Sequence, residues 1–160
     1  MRRTLPAAVA LLVALSGCGL TIPTDPDGTL DRVRGGTLRV GVSVNPPWTD
    51  LPEGTDADPT GTEVELVEQF AADRLGAQVQ WEPGGEEELV TALEHGEIDL
   101  LIGGLTARTP WADRIAATYR YTITEDAHGT QEQHVMAVPM GENAFLVELE
   151  DFLLDQGLPR

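Results

Sequence analysis

The sequence predicts an α/β fold, an open and mostly parallel β-sheet with helices on both of its faces. Three observations favour this class. Segments rich in β-branched residues alternate with segments of helical periodicity, and the connections between them are short. Residues 98–102 form a nearly continuous apolar run, which is typical of a central parallel strand. The chain has 160 residues and is 41% hydrophobic, which suits one domain with a packed core.

The first strand and the first helix are predicted from opposite periodicities. Residues 37–44 alternate and are β-branched, so they indicate a strand. Pro46 and Pro47 end it, because proline has no N–H to donate to a neighbouring strand. Residues 62–75 place their apolar side chains on one face at helical spacing, and Gly76 is suited to ending that helix in a left-handed conformation.

The middle of the chain continues the alternation. Residues 78–81 predict a short strand, and residues 86–95 predict a helix with acidic side chains in its first turn. The apolar strand 98–102 follows. A third helix is expected to begin at Thr109, which would cap it, with Pro110 in the first helical position.

The last part of the chain predicts two further strands, at 119–124 and 134–138, and a final helix at 142–156. This helix has the most complete amphipathic pattern in the sequence. Its apolar stripe consists of Phe145, Leu146, Leu149, Phe152 and Leu153. In open α/β sheets ligands bind beyond the carboxyl ends of the strands, so we expect a binding site at the loops 45–48 and 103–109.

The chain is strongly acidic. It has 27 Asp and Glu against 10 basic residues, all of them Arg, and its net charge is −17. This charge argues against nucleic acid as a partner and against electrostatic attachment to anionic lipid. The three His lack metal-ligand spacing, and no nucleophile or phosphate-binding motif is present. The sequence therefore predicts no metal, no cofactor and no enzymatic activity.

The N-terminus predicts a lipoprotein signal peptide at residues 1–17. Arg2 and Arg3 precede an apolar run at 7–15, which is too short to span a membrane. Leu-Ser-Gly-Cys then matches a bacterial lipobox, in which the cysteine, here Cys18, is lipidated. The alternative is an ordinary secretory signal with an incidental cysteine. We predict an extracytoplasmic protein held at the cell membrane by a lipid anchor.

Residues 18–36 are predicted to be the lipidated cysteine and a flexible tether. The segment is rich in Pro, Gly, Thr and Asp. Only Leu30 and Val33 could attach it to the folded domain.

Three motifs carry a resemblance to a known family. They are L-R-V-G-V-x-x-x-P-P-W, G-x-E-V-E-L and A-L-E-H-G-E-I-D-L-L-I-G-G-L-T, which lie in this order between about residues 37 and 121. This set resembles the bacterial extracellular solute-binding proteins of family 3, the receptors of polar amino acid ABC importers. The resemblance implies a type II periplasmic-binding-protein fold, a small polar solute such as an amino acid, and an ABC permease or other membrane protein as partner.

Family members have two lobes, but this chain has room for one. The resemblance implies that the first lobe is left, the second is built, and the chain returns with a strand and a long helix. Only about a dozen residues separate exit from return here. We therefore expect a single lobe at 37–157, composed of an N-terminal part at 37–122, a short connection at 123–133 that replaces the second lobe, and the returning strand and helix at 134–157.

The resemblance also implies ligand-binding residues. The aromatic side chain after the two prolines packs on the ligand in the family, and Trp48 holds that position. The strand-end loop G-x-T supplies backbone and hydroxyl groups, and Gly104, Leu105 and Thr106 preserve it. Simpler interpretations stay open: Trp48 can serve packing alone, Thr106 can cap a turn, and Glu63 can complement the N-terminus of helix 62–75.

The arginine that clamps the ligand carboxylate in the family is missing. Its position in T-x-x-R is held by Trp111, or by Ala112 if Thr109 is the threonine of the motif. Arg108 and Arg114 flank Trp111 at three residues on either side, and either could substitute.

Three functions are compared on this basis. The first is an accessory or reduced substrate-binding component of an amino acid-type ABC transporter, which binds small polar solutes weakly or with a partner. The alternative is a non-transport protein-interaction or sensor module that kept the fold and lost the ligand. An enzyme is the least favoured, because no acid/base pair is apparent. In the first two cases the surface around Trp48, Gly104 to Thr106 and Trp111 is the expected interaction surface.

Overall fold

The computed structural model describes residues 24–52, 57–125 and 128–158. The predicted signal peptide and Cys18 lie outside this range. No helix in it is long and apolar enough to cross a membrane. The helices are α1 (Thr29–Val33), α2 (Thr62–Phe70, continued by a π-helical segment, Ala71–Leu75), α3 (Glu86–Glu94) and α4 (Asn143–Asp155). The strands are β1 (Thr37–Val42), β2 (Gln78–Pro83), β3 (Leu100–Ile102), β4 (Ala116–Ala117), β5 (Thr122–Glu125), β6 (Gln131–His134) and β7 (Ala137–Val138).

The main sheet has the strand order β2-β1-β3-β7-β4. β1 lies between β2 and β3 and is parallel to both, while β7 is antiparallel to its neighbours β3 and β4. Two packed apolar clusters cover the sheet. One contains the buried side chains of α2 and α4 together with Val33 of α1, and the other contains those of α3. The predicted fold class, with a mostly parallel sheet and helices on both faces, is confirmed.

The predicted helix at Thr109 is wrong. Residues 110–114 form successive turns, and the chain enters β4 at Ala116. The indole of Trp111 packs against the α3 side of the sheet and donates a hydrogen bond to the Glu86 carboxylate. This tertiary contact, together with the early start of β4, outweighs the local capping signal of Thr109 and Pro110.

The prediction of a flexible tether over 18–36 fails for its second half. Residues 29–33 form α1, and Val33 is completely buried in the core. The backbone N–H of Thr29 donates to the Glu142 carboxylate at 2.9 Å. Asp25 Oδ1 accepts hydrogen bonds from the N–H groups of Ala144 and Phe145, at 2.7 and 3.0 Å, and so caps α4 from over a hundred residues away. These contacts make residues 24–36 part of the domain.

The short connection predicted at 123–133 folds as a β-hairpin. β5 and β6 pair in antiparallel register from Thr122 opposite His134 to Glu125 opposite Gln131. The strand predicted at 134–138 is divided between β6 and β7, because β6 belongs to the hairpin and β7 to the main sheet.

Candidate functional site

Two loops meet at the carboxyl ends of β1 and β3. In the first loop, the Thr49 hydroxyl donates to the carbonyl of Ser43 and accepts from the N–H of Asn45 at 3.0 Å. The Asn45 side chain then reaches the second loop, where its Nδ2 donates to the Gly103 carbonyl at 2.9 Å. The two loops are therefore held together by polar side chains of the first.

Glu63, in the first turn of α2, holds the second loop in place. Its Oε2 accepts the N–H groups of Gly103 and Gly104 at 2.8 and 2.9 Å, and its Oε1 accepts the Tyr121 hydroxyl. The side chain is completely buried. Burial raises the pKa of Glu63, and the three donors oppose that rise only in part. Burial and the neighbouring Glu63 also raise the pKa of Tyr121, so its hydroxyl stays a donor.

Trp48 packs directly over Gly104. The backbone of Gly104 is left-handed, with φ of 65°, and a Cβ there would lie 2.4 Å from Trp48 Cδ1. Glycine is required at this position both by the backbone and by the indole. The loop and the indole thus form one rigid surface.

The imidazole of His134 covers this surface. Its ring centroid lies 4.0 Å from that of Trp48, with an angle of 36° between the planes. His134 is 1% exposed, and its Nε2 hydrogen-bonds the Thr124 hydroxyl at 2.8 Å. Burial lowers its pKa, although the carbonyl groups of Gly104 and Leu105 beside the ring favour the charged form. No described residue makes a well-aligned hydrogen bond with Nδ1.

Backbone pairing brings His134 to this position. The Val135 N–H donates to the Leu105 carbonyl at 2.9 Å, and the Ala107 N–H donates to the Gln133 carbonyl at 2.8 Å. His134 consequently lies opposite Thr106. The hairpin is therefore attached along the strand-end loop.

Thr106 and Arg108 lie at the edge of the covered surface. The Thr106 hydroxyl accepts a long hydrogen bond of 3.4 Å from the Arg108 N–H, in agreement with a turn-capping role. The Arg108 side chain is exposed and lines a cleft of about 230 Å³ together with Thr106 and β6. Gly104 and Leu105, in contrast, are buried.

Arg114 is bound to α3 instead. Arg114 Nε donates to Glu94 Oε2 at 3.0 Å, and its guanidinium lies 5.4 Å from the Trp111 ring centroid. Arg114 also lines a groove with Thr37 and Asp99, which mark the amino-terminal edge of the sheet. Of the seven ligand-binding residues predicted from sequence, the structure brings together Trp48, Gly104, Leu105, Thr106 and Arg108. Trp111 packs against the apolar cluster that contains Leu105, and Arg114 pairs with Glu94 on α3.

The sequence of this chain matches a known protein family. Residues 38–156 match the profile of the bacterial extracellular solute-binding proteins, family 3. The chain belongs to this family. The predicted resemblance is confirmed over the whole region that contains the sheet and α4.

Membrane-bound lytic murein transglycosylase F from two strains of Vibrio cholerae serotype O1 is also similar. It is 35% identical to this chain over 98 residues, which are 59% of this chain. The similar region is 18% of the length of that protein, so this chain spans less than a fifth of it.

Solved structures of a single lobe have the same fold. A point mutant of domain 1 from TmArgBP in its arginine-bound form has a TM-score of 0.67 and 25% identity, covering 79% of this chain and 97% of that one. Domain 1 without that mutation, also arginine-bound, has a TM-score of 0.63 and 26% identity, covering 75% and 93%. An ancestral cationic amino acid solute-binding protein, at 15% identity and a TM-score of 0.65, covers 81% and 92% and supports the fold alone. The single-lobe prediction is confirmed.

Two residues of this site were not recognised from sequence. The sequence position of Glu63 predicts a charge at a helix N-terminus, whereas in the structure its carboxylate binds the strand-end loop. The sequence predicts His134 only as the start of a returning strand, whereas in the structure its ring packs against Trp48. His134 is the last residue of the polar strand β6, and nothing in that sequence pattern indicates a contact with Trp48.

Proposed function

We propose that this protein is a membrane-anchored extracytoplasmic lipoprotein that binds a small amino acid-like solute weakly, as an accessory or reduced binding component of an amino acid-type ABC transporter. One observation carries the proposal. The buried Glu63 carboxylate holds Gly103 and Gly104 in a fixed loop against Trp48. Within the described residues, this loop is held in place by contacts inside a single lobe.

The arginine-bound domain 1 from TmArgBP supports binding by one lobe. A point mutant of that domain is also arginine-bound, and this chain covers 97% of it. A missing second lobe therefore does not by itself exclude solute binding. Good pockets bury about 70–90% of a ligand, and one lobe leaves a wall open. We expect an affinity nearer to millimolar than to micromolar.

Arg108 is proposed to bind the solute carboxylate in place of the missing clamp. It is exposed beside Thr106, whereas Arg114 is paired with Glu94 at a different part of the domain. A hydrogen bond to a charged group contributes about 1.5–3 kcal/mol, so removal of the guanidinium should weaken binding roughly tenfold to a hundredfold.

The proposal also includes a lipid anchor at Cys18 and a membrane permease as partner. Lipidation of Cys18 would hold the domain at the outer face of the cell membrane, close to a permease. No catalytic step is proposed, because both oxygens of the buried Glu63 carboxylate are already bound by donors of the protein.

A second candidate function is supported by His134. Its ring covers Trp48, the side chain proposed to receive the solute. A non-transport interaction or sensor module would have no need of an open site. The similarity to part of a membrane-bound transglycosylase is compatible with such a module joined to another activity.

Calorimetric titration with an amino acid panel that includes L-arginine tests the proposal. The wild-type protein is expected to bind in the millimolar range. Arg108→Ala should weaken that binding roughly tenfold to a hundredfold, while Arg114→Ala should leave it unchanged. No heat with any amino acid up to tens of millimolar would favour the interaction module. Equal losses in the two variants would remove Arg108 as the carboxylate ligand.

A further inference from the structure

We propose that His134 is a built-in occupant of the solute site: its imidazole lies where the planar group of a solute binds, and a solute enters only when the ring swings away. This inference rests on the proposed function, and it specifies how that site is regulated and which solutes it selects.

The geometry of His134 is that of a bound ligand. The ring lies against Trp48 with a centroid separation of 4.0 Å, and 99% of the residue is withdrawn from solvent. Its Nδ1 faces the strand-end loop without a well-aligned partner among the described residues. The ring also lies beside the carbonyl groups of Gly104 and Leu105, so its polar edge meets the loop as the polar edge of a ligand would.

The ring can leave without unfolding the hairpin. Rotation of the side chain breaks the contact with Trp48 and the hydrogen bond with Thr124. The backbone bonds from Val135 to Leu105 and from Ala107 to Gln133 stay in place. Displacement is therefore a local event.

The occupant also indicates the class of solute. The imidazole is planar, can donate an N–H, and lies beside the carbonyl groups of Gly104 and Leu105. A solute that replaces it needs a flat group that can stack on Trp48 and donate an N–H to those carbonyls. Guanidinium and imidazole side chains satisfy both conditions, whereas aliphatic side chains satisfy neither.

An affinity comparison tests the proposal. If the site is filled in most molecules, the measured dissociation constant is the intrinsic one divided by the small open fraction. His134→Ala should therefore bind L-arginine at least about tenfold more tightly than the wild type. Thr124→Val, which keeps the ring and removes its hydrogen bond, should fall between them. L-valine should bind no variant as well as L-arginine does.

Free imidazole provides a test that needs no amino acid. In His134→Ala it should occupy the vacated position on Trp48 and raise the melting temperature, and in the wild type it should not. A cooperative melting curve of His134→Ala before the addition shows that the variant is folded.

Proton NMR of the histidine rings follows the displacement directly. The His134 signals should be shifted by the ring current of Trp48 and should move towards ordinary values as L-arginine is added. His95 and His128 are exposed and serve as internal controls.

The outcomes separate this inference from the proposed function. Equal affinities of the wild type and a folded His134→Ala, or His134 signals that do not move at saturation, would overturn the built-in occupant and leave solute binding intact. Imidazole that stabilises His134→Ala without any L-arginine binding would support the occupant and remove the amino acid. Absence of both effects would overturn both proposals.

Discussion

Replacement of Glu63 by alanine is the most direct test of the site's construction. The change leaves three buried donors without an acceptor: the N–H groups of Gly103 and Gly104 and the hydroxyl of Tyr121. An unsatisfied buried polar group costs about 1–3 kcal/mol. The free energy of unfolding should therefore fall by at least about 3 kcal/mol, out of a typical 5–15. The melting temperature should fall by roughly 10 °C.

Two variants serve as controls for this change. Glu65→Ala removes an exposed acid from the same helical turn and should change stability by less than about 0.5 kcal/mol. Glu63→Gln is expected to keep most of the stability, since its carbonyl can accept both glycine N–H groups while its amide donates to Tyr121. Denaturant unfolding measures all three. The reasoning is refuted if Glu63→Ala is as stable as Glu65→Ala.

The charge of Glu63 adds a dependence on pH. Burial raises its folded pKa above the ordinary 4.5, so its contribution to stability is complete below pH 4.5 and declines as the pH rises through the folded value. Glu63→Gln should lack this decline. Parallel pH profiles of the wild type and Glu63→Gln would contradict the assignment.

Three other predictions concern the anchor, the buried histidine and the N-terminal segment. Cys18→Ala should release the protein from membranes, and equal retention of variant and wild type after fractionation would contradict the lipobox. Burial lowers the folded pKa of His134 below 6.5 despite the nearby Glu132, so wild-type stability should fall as the pH falls below 6.5; His134→Gln should lose this dependence in urea unfolding. Asp25→Ala removes both hydrogen bonds to the start of α4 and should cost about 1–2 kcal/mol in the same assay, whereas a mere tether would show no change.

The elements predicted correctly are those in which local pattern and burial agree. The strand predicted at 37–44 is observed as β1, Thr37–Val42, and its apolar side chains are buried in the core. The apolar stripes of helices 62–75 and 142–156 also face the core. The helix at Thr109 failed because a capping signal is local, while the packing of Trp111 is not. The composition of residues 24–36 does not reveal two long-range contacts. Asp25 accepts a hydrogen bond from the N–H of Ala144, and Glu142 accepts one from the N–H of Thr29, each across more than a hundred residues.

The site was predicted as far as topology determines it. Parallel strands end at the same edge of a sheet, and that rule alone brought the loops of Trp48 and Gly104 together. It says nothing about side chains that arrive from other elements. Glu63 comes from α2, 40 residues before Gly103. Arg114, although only ten residues beyond Gly104, turns towards Glu94 on α3.

The hairpin of β5 and β6 lies where the family's second lobe is expected, and it also carries the histidine that fills the site. β5 and β6 pair with each other, and the chain around the end of β6 pairs with the strand-end loop, which places His134 opposite Thr106. A one-residue shift of that register would turn the imidazole to the other face. An intramolecular ring is always present at the site, so a solute competes with it at every concentration. If His134 occupies the site as proposed, the protein binds solute at high solute concentration and binds almost none at trace concentration. The ratio of affinities between His134→Ala and the wild type measures how strongly the hairpin sets that threshold.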